Sequence, residues 1–274
     1  MKFHLTEGGT PLKKISIIGI ISFAACILWM LGFEWTIFDY FYAPPSGVVE
    51  QPSVASAEEN EDECHIVAFG DSLTRGTGDA EGKGYAGYVM DELKEKQPDL
   101  PLFLHNYGIK GLTSSKLREQ VVQKEVQRQL QQANLVFISI GGNDLFQGGQ
   151  TLARPDISKV DVVKEAFLTN LSEILTVIRS VNRDATVYLI GLYNPFSDFD
   201  DVQVSSQIIR DWNYASAELA ANFAKIVFVP TFDIFQLNVN HYLYSDHFHP
   251  NTRGYQLIAE RLSSLIELEK GERG

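Results

Sequence analysis

The sequence predicts an α/β fold: a three-layer α/β/α sandwich on a mainly parallel sheet of about five strands. Past Cys64 the chain alternates short, almost continuously apolar runs with longer stretches whose apolar residues recur every three or four positions. The first pattern suits strands covered on both faces, the second amphipathic helices, and their alternation suits parallel strands joined by helical crossovers. Glycines supply a further observation. Gly70, Gly108 and Gly141 close apolar runs, at the strand ends where such sheets bind ligands.

In chain order, residues 1–14 carry Lys13-Lys14 and are expected in the cytoplasm. Ile15 to Phe33 are nineteen uncharged, mainly apolar residues; as a helix they span about 29 Å, close to one bilayer core. Lysines before this segment, and Glu34 and Asp39 after it, favour a single-pass signal anchor with the rest of the chain extracytoplasmic at the cell membrane. Trp29, Trp35, Tyr40 and Tyr42 fit an interfacial belt. A lipoprotein signal would use Ala24-Ala25-Cys26, but Phe23 fits it poorly and the apolar run continues beyond the cysteine. A cleavage site at Ala55-Ser56-Ala57 lies too far from the apolar segment. Residues 34–63 read as an extracytoplasmic tether, rich from 43 onward in Pro, Ser, Ala, Glu and Asp without apolar periodicity.

The folded domain is expected over 64–274. Its candidate strands are His65–Phe69, Leu102–Tyr107, Leu135–Ile140, Thr186–Leu192 and Ile226–Val229. Val160, Val163, Phe167, Leu171, Ile174, Ile178 and Val181 keep helical spacing, as do Val204, Ile208, Trp212, Ala215, Leu219 and Phe223. Two connections, Leu145 to Ser158 and Tyr193 to Val202, lack periodicity and follow strand C-terminal ends. Phe146, Phe196 and Phe199 in them are candidates to line an acyl pocket or simply to cap the core.

Of 274 residues 45% are hydrophobic, enough for one globular domain, and the net charge of −12 disfavours nucleic acid as a partner. Cys26 and Cys64 are the only cysteines, and Cys26 lies in the apolar segment. An internal disulfide is therefore not expected, no cysteine metal framework exists, and nothing calls for a cofactor.

The chemistry concentrates in three places. Val67-Ala68-Phe69-Gly70-Asp71-Ser72-Leu73-Thr74 is an apolar strand, a glycine and a hydroxyl on the turn opening a helix. A serine or aspartate there often serves only as a helix cap, and Asp71 is given that role alone. Asp246 and His249 form an i, i+3 pair before the last helix, a spacing that lets a turn bring the carboxylate onto Nδ1 and leaves Nε2 for a serine. His247 competes locally for the base, and Asp233 for the acid; His65 and His105 fall in or beside strands. Gly141-Gly142-Asn143 closes the third strand with close-approach backbone and a neutral amide donor. Asn106-Tyr107-Gly108-Ile109-Lys110-Gly111 closes the second, and either glycine there offers an N–H.

Gly70-Asp71-Ser72-Leu73, Gly111, Gly141-Gly142-Asn143-Asp144 and Asp246-x-x-His249-Pro250-Asn251 resemble, in order, the four blocks of the SGNH/GDSL hydrolase family, over residues 64 to 268. The resemblance implies a flavodoxin-like sheet and a serine esterase, lipase, lysophospholipase or thioesterase. It implies Ser72 as nucleophile, His249 as base and Asp246 as its orienter. The oxyanion hole would be the Ser72 and Gly111 N–H groups with the Asn143 side chain. Gly111 rather than Gly108 matches the family's N-x-x-x-x-G spacing. His247 departs from the small or acidic residue of many relatives.

The expected partner is a small-molecule acyl ester or a lipid-like substrate, acted on by a monomeric ectodomain. Deacetylation of O-acetylated envelope glycan is the alternative. No G-x-S-x-G elbow is present. A metal-dependent phosphoesterase would want an upstream D-x-H pair and a histidine after Gly-Gly-Asn, and both are missing. A non-catalytic envelope-binding domain is the remaining reading.

Overall fold

The structure, a computed structural model, describes residues 63–146, 157–196 and 202–268, with Ser22, Ala25, Cys26, Ile27 and Trp29. The chain divides into two units, Met1–Ser56 and Ala57–Gly274, and every element named below belongs to the second. Apart from those five positions and Glu63, the anchor expected over 15–33 and the tether over 34–63 lie outside the described residues. Among the described residues no helix is long and apolar enough to cross a membrane.

Five strands, β1 (Cys64–Gly70), β2 (Leu102–Gly108), β3 (Leu135–Ser139), β4 (Thr186–Ile190) and β5 (Ile226–Val229), pair in the order β2-β1-β3-β4-β5. All four pairings are parallel. The helices between and after them are α1 (Ser72–Arg75), α2 (Gly84–Lys96), α3 (Ser114–Val121), α4 (Lys124–Gln131), α5 (Gly142–Phe146), α6 (Ile157–Val181), α7 (Val202–Ala220), α8 (Phe232–Gln236), α9 (Val239–Tyr242) and α10 (Thr252–Ser263).

Strand side chains alternate between two cores. Ile66 and Ala68 of β1, with Leu135 and Phe137 of β3, face the layer holding α2 and α10; Val67, Phe69, Val136 and Ile138 face α3, α4, α6 and α7. With both faces covered, a strand has no polar side, which is why these runs read as continuously apolar. The helices bury one stripe each. Tyr255, Ile258, Ala259 and Leu262 form the buried face of α10, and Phe167, Leu171, Ile174 and Ile178 that of α6.

β3 and β4 stop one and two residues before their expected ends, for identifiable reasons. After Ser139 the chain meets Gly141 at φ +108°, a conformation that ends the ladder. Leu192 is taken out of the sheet by Asn213, whose amide donates to the Leu192 carbonyl at 2.7 Å while its oxygen accepts the Leu192 N–H at 2.8 Å.

The strand order decides where a site can form. From β1 the chain crosses to β2 on one side, then back past β1 to β3 on the other. Crossovers leaving in opposite directions open a crevice at the C-terminal ends of β1 and β3, the switch point where ligands bind in open α/β sheets.

Candidate active site

At the end of β1, Gly70 has φ +145°, and a Cβ there would lie 2.2 Å from the Ser139 carbonyl oxygen. Only glycine fits where β1 turns beside β3. The Asp71 N–H donates to that same oxygen at 3.1 Å, and the Asp71 carboxylate caps α1 by accepting the Leu73 N–H at 3.0 Å. Asp71 is thus the cap, and Ser72 is the first helical residue, 6% exposed. Beneath it Thr74 donates to the Phe69 carbonyl at 2.9 Å and meets the Tyr85 and Ser139 hydroxyls at 2.8 and 2.7 Å. The serine turn is therefore tied to β1, β3 and α2 together.

The loop before α10 brings the histidine. One Asp246 carboxylate oxygen accepts the backbone N–H groups of Phe248 and His249, each at 3.0 Å, and the other lies 2.7 Å from His249 Nδ1. His249 Nε2 lies 2.8 Å from Ser72 Oγ. Burial works to raise the Asp246 carboxyl, but hydrogen bonds from the His249 ring and from the His249 and Phe248 N–H groups outweigh it and hold the group below its ordinary value. An ionised Asp246 keeps a proton on Nδ1 and so leaves Nε2 to accept from Ser72.

The loop is braced from outside and from within. From outside, the hydroxyl of the partly buried Tyr193 donates to the Phe248 carbonyl at 2.7 Å; within the loop, the Tyr244 N–H donates to the His249 carbonyl at 2.7 Å. Asn251 caps α10 by accepting the Gly254 N–H at 3.0 Å, while its amide donates to the carbonyls of His241 and Leu243.

The segments after β2 and β3 leave the sheet at the same edge as Ser72. Gly111 has φ +77°, with nothing within 4 Å of where a Cβ would stand. Gly108 differs: its N–H is taken by the Asn106 side-chain oxygen at 2.9 Å, and a Cβ on it would press to 2.5 Å from the Arg75 nitrogen. Asn143, on α5, donates from its amide to the Leu112 carbonyl at 2.9 Å, which leaves that amide a second proton. The Ser72 N–H heads α1, where no intrahelical acceptor exists. Three adjacent strands, β2, β1 and β3, thus bring Gly111, Ser72 and Asn143 to one edge.

The other sequence candidates fall elsewhere. Asp233 pairs with Arg261 at 2.8 Å, a contact that holds its carboxyl below the ordinary range. His247 is exposed, at φ +56° in the turn. Phe146, Phe196 and Phe248 form a triangle of rings with centroids 5.2 to 6.2 Å apart, and Phe248 stands edge-on to His249 at 5.0 Å. Phe196 is buried, whereas Phe146 and Phe248 are partly exposed. Phe199 lies outside the described residues.

Sequence reasoning missed three supports of the site. Asp71 is more than a cap: burial pushes its carboxyl up to about 7, against hydrogen bonds from the Leu73 N–H and the Ser139 hydroxyl. Tyr193 holds the histidine loop, and Asp144 accepts hydrogen bonds from Ser114, thirty residues earlier. Asp144 closes the Gly141-Gly142-Asn143-Asp144 block that the sequence singled out, but nothing in the sequence pointed to Ser114 as its partner.

Comparison with known proteins follows the same lines. The GDSL-like lipase/acylhydrolase family model matches residues 68–257. The uncharacterised protein YpmR of Bacillus subtilis (strain 168) is 34% identical over 221 residues, 78% of this chain and 86% of that one. The spore germination lipase LipC of Bacillus licheniformis is 27% identical over 199 residues, 71% of this chain and 92% of its own. Among solved structures, the lipase Lip_vut3 from a goat rumen metagenome superposes with a TM-score of 0.66 at 24% identity, covering 73% of this chain and 96% of that one. The acetylxylan esterase Axe2 of Geobacillus stearothermophilus gives 0.55 at 21% identity, over 75% and 95% of the two chains. Axe2 has also been solved as catalytic mutants with alanine in place of a serine, a histidine and an aspartate. At these identities the two structures speak for the fold; the family match over most of the domain goes further, and by it the chain belongs to the GDSL-like lipase/acylhydrolase family and is a carboxylic ester hydrolase.

Proposed function

We propose that the chain cleaves carboxylic esters, thioesters included, through an acyl-enzyme on Ser72. The observation supporting this most strongly is the unbroken relay from Ser72 Oγ to His249 Nε2, 2.8 Å, and from His249 Nδ1 to Asp246, 2.7 Å. As Ser72 Oγ bonds to the carbonyl carbon, its proton passes to His249 Nε2, and the imidazolium is stabilised by Asp246. The former carbonyl oxygen carries the charge and takes hydrogen bonds from the Ser72 and Gly111 N–H groups and the Asn143 amide. Collapse breaks the bond to the leaving oxygen or sulfur, which receives the proton from His249. Water then attacks the acyl-enzyme by the same steps and releases the acid and free Ser72.

The substrate reading follows from the Phe146, Phe196 and Phe248 triangle. It runs from α5, one turn after Asn143, to the residue before His249. Such a wall favours an apolar chain over a sugar ring, so acyl esters of short to lysolipid size are the proposed substrates. Deacetylation of envelope glycan is the competing outcome. Rates for p-nitrophenyl esters from acetate to octanoate, set beside acetylated xylan, separate the two. The expectation is a kcat/KM that rises with chain length by up to about fourfold per methylene, the value of one buried CH2. Highest activity on acetate and acetylated xylan would point to the deacetylase.

The proposed setting is extracytoplasmic. Residues 15–33 serve as an uncleaved anchor, 34–63 as the tether, and 64–274 as a monomeric catalytic domain. Support comes from the length of the apolar segment and the charges on either side of it. External protease on intact cells should release an active domain by cutting within 43–63; protection of the domain would reverse the orientation.

A further inference from the structure

The two proposed oxyanion donors other than Ser72 lie far apart in sequence, Gly111 in the turn after β2 and Asn143 on α5, and one carboxylate ties the two segments together. Asp144, on α5, accepts the Ser114 N–H at 2.9 and 3.2 Å and the Ser114 hydroxyl at 2.5 Å. Asn170 of α6 donates to that hydroxyl at 2.9 Å, so the serine oxygen is held from two sides. Ser114 is fully buried and is the first residue of α3. The capping position before it, Thr113, makes no side-chain capping bond. Asp144 therefore caps α3 from another element, placing a carboxylate where a helix N-terminus favours negative charge. Next to it in sequence, Asn143 donates to the Leu112 carbonyl at 2.9 Å. Two consecutive residues of α5 thus grip Leu112 and Ser114, and Gly111 is the residue immediately before the gripped segment.

We propose that Asp144 is a positioning residue for ester hydrolysis: by locking Ser114 to α5 it fixes the Gly111 N–H relative to the Asn143 amide, so that both donors meet one oxygen. The inference rests on reading Gly111 and Asn143 as oxyanion donors. Its physical basis is that such donors act by being held in place before charge develops, and a supporting shell that lets them drift loses turnover rather than affinity. Gly111 itself needs this support. It is exposed, at a left-handed φ, and space for a Cβ stands open beside it.

The test is the kinetics of the full-length protein on p-nitrophenyl butyrate for Asp144→Ala, Asp144→Asn and Asn143→Ala, with the Asn143→Ala/Asp144→Ala double variant. Asp144→Ala should lower kcat by about 10- to 50-fold, short of the cost of deleting a donor outright, with KM within about twofold. Asp144→Asn should recover most of that loss, because its carboxamide oxygen still accepts the Ser114 N–H. In the Asn143→Ala background, Asp144→Ala should cost clearly less than it does alone, since one of the two donors it aligns is already gone. Unchanged kcat in Asp144→Ala, a loss confined to KM, or full multiplicativity would overturn the proposal. If Asn143→Ala alone leaves kcat intact, the oxyanion reading fails first; if Asn143→Ala is slow and Asp144→Ala is not, only the positioning role fails. Should Asp144→Ala not fold, Ser114→Ala decides, because it removes one of the gripping bonds and keeps the backbone. A severalfold drop in kcat at constant KM is expected, and wild-type kcat would count against the role.

Discussion

The two halves of the site are held by different means. On the histidine side the bonds that orient the ring are short in sequence: Asp246 receives the Phe248 and His249 N–H groups and the His249 ring within three residues, while the Tyr193 hydroxyl braces the Phe248 carbonyl from 55 residues away. On the side of the proposed oxyanion donors they are long: Asn143 to Leu112 spans 31 residues, Asp144 to Ser114 spans 30, and Asn170 to Ser114 spans 56. A local turn fixes one base in one place. An oxyanion hole needs donors from separate strands converging on a point, which only tertiary bonds can arrange. The contrast implies a gradient of severity, from outright loss on the relay, through partial loss on the donors, to small effects outside both.

The relay should give the largest effect. Ser72→Ala and His249→Ala are each expected to lower kcat by roughly 10⁴-fold or more, with the double variant no worse, because members of a triad act as a unit. Steady-state assays of the three proteins check this, and a His249→Ala enzyme keeping a tenth of wild-type turnover would break the comparison at its base. Next comes Asn143→Ala, expected to cost about 10²–10³ in kcat with little change in KM, since in its proposed role the amide acts on charge that develops only during reaction. A large rise in KM at constant kcat would make Asn143 a substrate binder.

Asp71 sits between the halves, and its effect is on stability. Its carboxyl rises from an ordinary 3.8 to about 7 in the fold. The native state therefore holds that proton more tightly than the unfolded chain does, and the group's contribution is fully present below about 3.8 and lost as pH rises to about 7. Asp71→Asn keeps an acceptor for the Leu73 N–H and never ionises. Its stability relative to wild type should grow between pH 5 and pH 8, by at most about 3 kcal/mol. Urea unfolding at the two pH values measures this, and an equal difference at both would refute it. The smallest effect belongs to His247→Ala, which should lose less than tenfold because that side chain is exposed and lies outside the relay.

What the sequence made legible follows the same contrast. Five strands and the two long helices were visible because covered strands read as apolar runs and one-sided helices as 3–4 residue spacing. The Asp246–His249 pairing was readable because an i, i+3 turn is a local matter. The strand ends at Ser139 and Ile190 were not, since they depend on Gly141 and on Asn213 reaching back to Leu192. Asp144 and Tyr193 were likewise invisible as supports: their partners, Ser114 and the Phe248 carbonyl, become neighbours only once the sheet is assembled. Asp71 was seen as a cap, but its burial between β1 and β3 is a property of the fold.

The proposed attack of Ser72, activated by His249, on the ester is tested by treating the full-length protein with a fluorophosphonate and mapping the labelled peptide. A single adduct on Ser72 is predicted, forming at a rate that collapses in His249→Ala; ester hydrolysis that persists without labelling of Ser72, or labelling indifferent to His249, would contradict it.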